Sequence, residues 1–164
     1  MVPSIEHSTG ALGHGINVAV GCAIGLKSLG FTQSKVLTLV GDGEIQEGSV
    51  WEAIMLASHL KLSNFVLLID NNLISSIRRT SEVIDMRPLA KKFESFGLVT
   101  HEVDGHSVTD IRRAIEDLGH CQQPGAIICN TVKGKGVDFA EGQPVWHYRT
   151  LDDELLNQAL KNLS

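Results

Sequence analysis

Apolar residues fall into two arrangements along the chain. Short apolar runs at residues 36–40 and 65–69, and the stretch 126–131, predict buried strands of a parallel sheet. Residues spaced by three and four, Val50, Ile54, Ala57 and Leu60, predict a helix over 46–62. Residues 16–29 read as a helix rich in small and apolar side chains, in which Ala19, Gly21, Ala23 and Gly25 would admit a neighbouring backbone. Pro88 suits the first turn of a short helix over 88–96, and Gly97 suits its end. A strand over 98–103 follows, then the Asp104-Gly105 turn and a helix from 108 to about 119 capped by Ser107. Residues 77–86 show no clean period and read as a loop, and residues 151–160 as an amphipathic docking helix. Strands alternating with helices predict an α/β fold with a mostly parallel sheet.

Polar residues interrupt this pattern most sharply at two strand ends. The run 36–40 stops at Gly41-Asp42-Gly43, and the run 65–69 stops at Asp70-Asn71-Asn72. Ligands of open parallel sheets collect at the carboxyl ends of strands, so Asp42 and Asn72 can meet although thirty positions separate them. A carboxylate and an amide carbonyl are hard oxygen ligands, suited to magnesium when a phosphate group and water complete an octahedron. Upstream, Ser8-Thr9-Gly10-Ala11-Leu12-Gly13-His14-Gly15 places three glycines within six residues ahead of a helix. Backbone N–H groups in such a loop can face a phosphate, and a packing turn is the plainer reading.

The pattern GDG, 27 residues, then NN resembles the thiamine-diphosphate motif. The wording GDGEIQEGSVWEAIMLASHLKLSNFVLLIDNN is similar to the transketolase family in particular, as are STGALGHGINVAVGCAIG and TVKGKGVDFAEGQPVWHYRTL. The resemblance covers nearly the whole chain and implies a thiamine-diphosphate-binding fold, of which this is the diphosphate-binding side only. It implies magnesium held by the side chains of Asp42 and Asn72 and by the backbone carbonyl of Ile74. Gly10, Gly41, Gly43 and Asn72 match cofactor contacts, and Leu12 matches a residue packed on the cofactor rings. Glu47 matches a glutamate of an acidic network at a subunit interface, and helix-dipole stabilisation is the plainer account of both Glu47 and Glu44. His147 matches a histidine reaching the diphosphate and the reacting end of the substrate, where an imidazole can donate a hydrogen bond or move a proton. The plainer reading is a surface histidine beside a packed tryptophan. Transketolases usually carry glutamine at the position of His14, and Arg78-Arg79 departs from the family's glycine-containing segment, so substrate contacts are not carried over there. His7 and His106 carry no assigned role, and Asp104-Gly105-His106 matches a family stretch at a strand end.

Composition narrows the class. The 164 residues suit one domain, a size that buries roughly 70% of its unfolded surface. A net charge of −5 with scattered basic residues excludes a nucleic-acid footprint. Three widely spaced cysteines lack metal-ligand spacing and read as buried free thiols. With no leader-like start in MVPSIEHSTG and no membrane-length apolar run, a cytoplasmic protein is expected.

Relative to the family, the domain is short at its N-terminal side and lacks the pyrimidine-side domain with its ring-activating glutamate. The expectation is therefore one subunit of a split transketolase-like enzyme, active only with a pyrimidine-side partner in a heterotetramer. It would pass a two-carbon ketol unit from a ketose-type donor to an aldehyde. Alternatives are a subunit of a 2-oxo-acid decarboxylase or dehydrogenase, and a non-catalytic assembly partner. A dinucleotide-binding domain ranks below these, because no complete GxGxxG follows a strand.

Overall fold

The computed structural model describes residues 5–31 and 33–163. The reading of MVPSIEHSTG as free of a leader falls in part on residues 1–4, which lie outside them. Four parallel strands, β1 (Val36–Gly41), β2 (Phe65–Asn71), β3 (Val99–Asp104) and β4 (Gly125–Asn130), form a sheet in the order β1-β2-β4-β3. Among the described residues the helices are α1 (Gly15–Ser28), α2 (Gly48–His59), α3 (Thr80–Val83), α4 (Leu89–Ser95), α5 (Val108–Gly119) and α6 (Asp153–Asn162). Tight 3-10 turns stand at Glu44–Gln46 and Pro144–His147.

Side-chain alternation explains the layering. Phe65, Leu67 and Ile69 of β2, with Ala126 and Ile128 of β4, pack against α1, α2 and α4, while Val66, Ile127 and Cys129 pack against α5. The two inner strands are therefore buried on both faces, which is why their apolar runs are unbroken. Edge strand β1 differs, since Leu37 and Leu39 on its second face are 48% and 70% exposed. Ser107 caps α5 by accepting from the Asp110 N–H, and Asp152 caps α6 by accepting from the Leu155 N–H at 2.9 Å. Gly97, with φ 90°, ends the turn after α4 in the left-handed region. The α6 helix docks on the segment after β4, where Asn162 donates to Asp138 at 3.0 Å.

Three expectations need correction. Residues 77–86 are not an irregular loop throughout: Ile74 bridges Arg79, and α3 follows. Gln46, which donates to the Ile84 carbonyl at 3.2 Å, holds this segment against the 3-10 turn after β1, a long-range bond that local periodicity does not carry. Close approach to α1 falls on Ala19 and Ala23, which are buried, whereas a Cβ on Gly21 or Gly25 would meet nothing within 4 Å. The cysteines are free, but only Cys129 is buried; Cys22 is exposed because it lies on the outer side of α1.

Register brings the polar strand ends level. Gly41 pairs with Asp70, Asn71 with Asn130, and Asn130 with Asp104, so all four carboxyl ends share one rim.

Candidate functional site

Asp42 follows the last residue of β1, and its N–H still donates to the Asp70 carbonyl at 3.1 Å, continuing the ladder. Its side chain is buried, with 4% exposure. Oδ2 accepts from the Leu73 N–H at 2.6 Å and from Thr80 Oγ1 at 3.4 Å. Burial pushes the Asp42 carboxyl above its ordinary range, and Asp70 adds to that push, while the Leu73 and Gly43 amides and Thr80 oppose it.

Asn72 stands one residue from that contact. Its Nδ2 donates to Asp70 Oδ2 at 3.0 Å, and its Oδ1 accepts from the Ile74 N–H at 3.0 Å. The amide is thus oriented with its oxygen toward the turn. Leu73 takes a positive φ of 62°, in the left-handed region, and turns the chain just after its N–H has bonded to Asp42. The other oxygen of Asp70 accepts from Thr131 Oγ1, tying the β2 end to the β4 end, and Asn71 donates to Asn130 at 2.7 Å. The small hairpin after β2 uses the carbonyls of Leu73 and Arg78 as acceptors, at 3.0 and 2.9 Å, and leaves the Ile74 carbonyl out of its ladder. Asp42, Asn72 and Ile74 therefore lie at one turn of the rim, joined through the Leu73 and Ile74 N–H groups.

The glycine loop reaches the same turn. Gly13, with φ 75°, donates to Glu44 Oε1 at 2.9 Å, and its carbonyl accepts from Asn17 Nδ2 at 2.6 Å and Ser49 Oγ at 2.9 Å. A Cβ there would lie 2.4 Å from Ser49 Oγ, so glycine is required. Glu44 Oε2 also accepts from the Gly41 N–H at 3.4 Å. Gly10 and Gly41 leave open space where a Cβ would stand, and a Cβ on Gly43 would make only ordinary contact with Ser75. Leu12 projects from the loop, 57% exposed, and Glu47 is exposed at the start of α2.

His147 belongs to a different part of the rim. It ends the 3-10 turn Pro144–His147, is exposed, and its Nδ1 lies 3.2 Å from Lys133 Nζ. Among the described residues no hydrogen bond or ion pair links it to Asp42 or Asn72. Trp146 anchors the turn, with its Nε1–H donating to the Phe139 carbonyl at 2.8 Å and its ring 4.9 Å from that of Phe139. His106 accepts the Val132 N–H on Nε2 at 2.9 Å and so braces the β3 end against the segment after β4. His7 and His14 are exposed.

Four residues escaped sequence reasoning. Glu44 is a clamp as well as a charge at a turn, and Asp70, Thr80 and Thr131 orient the oxygens around Asp42. Asp70 carried a readable signal as the acid directly before Asn71-Asn72; Thr80 and Thr131 carried none. The donor set fits a hard cation, since a buried carboxylate, an amide oxygen fixed by its own Nδ2 bond and a carbonyl outside the hairpin ladder offer oxygen only. Among the described residues no group of three or more His, Cys, Asp or Glu could hold a metal ion.

Comparison with known proteins gives a consistent result. The family described as "Transketolase, thiamine diphosphate binding domain" matches residues 1–164. An apulose-4-phosphate transketolase subunit of Actinobacillus succinogenes is 39% identical over 161 residues, covering 98% of this chain and 58% of that protein. A 6-deoxy-6-sulfo-D-fructose transketolase subunit of Clostridium sp. is 34% identical over 160 residues, 97% of this chain and 58% of that protein. The crystal structure of transketolase from Campylobacter jejuni superimposes with a TM-score of 0.88 at 32% identity, covering 96% of this chain and 26% of that one. The chain thus spans less than two thirds of the length of these relatives.

Proposed function

The chain belongs to the transketolase family, as its thiamine-diphosphate-binding domain, and on that premise we propose that it serves as one subunit of a split, magnesium-dependent transketolase. The enzyme would move a two-carbon ketol unit from a ketose-type donor to an aldehyde acceptor. The observation that carries this reading is the buried Asp42 carboxylate joined through the Leu73 N–H to the turn bearing Asn72 and Ile74.

In this proposal Asp42, Asn72 and the Ile74 carbonyl hold magnesium, while Gly10, Gly41, Gly43 and Asn72 line the diphosphate. Open space over Gly10 and Gly41 supports a close approach there. Leu12 packs on the cofactor rings, a role its exposure supports. When bound, thiamine diphosphate supplies the carbon nucleophile for breaking and making carbon–carbon bonds. His147 donates a hydrogen bond or moves a proton at the reacting end of the substrate, with Lys133 beside its Nδ1 fixing the ring.

Glu47 sits at a protein interface in the same proposal. Val18 of α1 and Met55 and Leu56 of α2 are 44%, 52% and 45% exposed on helices that carry few polar residues, which supports a protein partner on this layer. The two relatives named as transketolase subunits support a second chain, here a pyrimidine-side subunit in a heterotetramer. A cytoplasmic location belongs to this proposal too, supported by three unpaired thiols. No described helix is long and apolar enough to cross a membrane.

The test is two-carbon transfer measured with and without a pyrimidine-side subunit, together with mass in solution. Activity is expected only in the mixed complex. Full turnover by a homogeneous preparation of this protein alone would reject the split arrangement, and a complex that binds no thiamine diphosphate would reject the enzyme.

A further inference from the structure

Glu44 makes a connection that no part of the proposed chemistry uses. Its Oε1 accepts the N–H of Gly13, 31 positions away in sequence, and its Oε2 accepts the N–H of Gly41, where β1 ends. Both donors are backbone groups from different segments, and a single carboxylate satisfies both. The Gly13 peptide is also held from its other side. Its carbonyl takes bonds from Asn17 and Ser49, and its Cα lies so close to Ser49 and Glu47 that no side chain fits.

Resting on the reading of this rim as a thiamine-diphosphate site, we infer that Glu44 is a positioning residue that locks the loop bearing Gly10 and Leu12 to the turn bearing Asp42. Without the lock, the bond from Ser49 to the Gly13 carbonyl and the packing of α1 would be left to hold the loop near the turn, and binding would have to order the loop. Glu44 touches neither metal nor substrate in this scheme. It holds the loop ready, so its loss acts on affinity through the loop and leaves the oxygen set around Asp42 intact.

Glu44→Gln is the informative variant. It keeps the shape but replaces one acceptor oxygen with an NH2 group that faces a backbone N–H. In the assembled complex without cofactor, amide exchange across residues 9–15 should accelerate at least about tenfold, with exchange in β2 and β4 unchanged. Thiamine diphosphate, titrated with excess magnesium in a calorimeter, should bind about 10- to 100-fold more weakly, as expected from loss of charge-assisted hydrogen bonds. Ser49→Ala, which releases only the Gly13 carbonyl, should shift both quantities in the same direction by about threefold or less, and it gives the reading if the Gln variant does not fold. Unchanged loop exchange in Glu44→Gln would overturn the lock, and a loosened loop with unaltered affinity would overturn its role in cofactor binding. If the unsubstituted complex binds no thiamine diphosphate, the functional reading fails and the cofactor role with it, while the exchange comparison still decides whether Glu44 holds the loop.

Discussion

The two ends of the strand rim are built in opposite ways. At the β1–β2 end, Asp42 is buried and held by the Leu73 N–H and Thr80, while Asn72 and Thr131 each donate to Asp70, all within the sheet's own frame. Beyond β4, His147 is exposed on a four-residue 3-10 turn whose hold on the domain is Trp146 and Lys133. A buried carboxylate without a cation is costly, and it is kept where binding a fixed, charged group repays rigidity. An exposed imidazole on a turn can approach a substrate that changes as the reaction proceeds. In the proposed enzyme the first end would hold the cofactor and the second would act on what the cofactor carries.

Substitutions should separate the two ends. The largest effect is expected from Asp42→Ala. Outer-shell partners of metal sites typically cost 10–100-fold, so a direct ligand should cost more than about 100-fold in thiamine-diphosphate affinity with magnesium present. Asp42→Asn should bind equally poorly yet yield a cofactor-free protein at least as resistant to heat as the original, because a neutral amide can accept the Leu73 N–H without a buried charge. Calorimetry and thermal melts on the same preparations decide this. A variant at position 42 with undiminished affinity would erase the distinction between the ends.

His147→Ala should do the reverse. Turnover should drop by roughly 10²–10⁴-fold if the imidazole takes part in proton transfer, with thiamine-diphosphate affinity and circular dichroism nearly unchanged. Steady-state rates and calorimetry measured together give the split, and a fall in affinity as large as the fall in rate would move His147 to the binding end. Trp146→Phe should show a smaller version of the same behaviour. It removes the bond to the Phe139 carbonyl, worth about 1 kcal/mol, and should slow turnover about fivefold through misplacement of the turn. An unaltered rate would mean that the turn does not position His147.

The same contrast governs what could be read from the sequence. Runs 65–69 and 126–129 were legible as strand cores because parallel strands buried on both faces need apolar residues at successive positions. Ser107 was legible as a cap because its partner, Asp110, is three residues away. Asp42 and Asn72 were legible as a pair because a parallel sheet brings strand ends level. Glu44 was not, since its partner Gly13 lies 31 positions upstream and nothing local distinguishes a clamp from an acid at a turn. The α3 turn and Thr80 were hidden for a similar reason, being held by Gln46 across the fold. Whether Gly21 and Gly25 meet a neighbour was equally beyond local pattern: α1 is apolar on nearly every side, so its composition cannot tell the side facing β1 and α2 from the side left open.

The smallest expected effect concerns the segment that carries His147 away from β4. Glu141 Oε1 accepts the N–H of Gly136 at 2.8 Å and lies 3.7 Å from Lys135 Nζ, while the Gly142 N–H donates to the Lys133 carbonyl at 2.9 Å. The Gly136 N–H holds the Glu141 carboxyl below its ordinary value of 4.5, and Lys135 adds to the effect against a slight opposing cost of burial. Because the folded protein binds this proton less readily than the unfolded chain, the contribution to stability is fully present above about pH 4.5. It is lost as pH falls from there through the lower folded value. Glu141→Gln should therefore flatten the acid side of a melting-temperature profile below pH 4.5 and change little at neutral pH, the more so because the half-exposed group is screened by solvent. Thiamine-diphosphate affinity at neutral pH should not move, since the brace supports the His147 end and touches nothing around Asp42. Parallel acid profiles for the two proteins would show that Glu141 does not brace the segment, and a loss of affinity would show that the two ends of the rim are coupled through it.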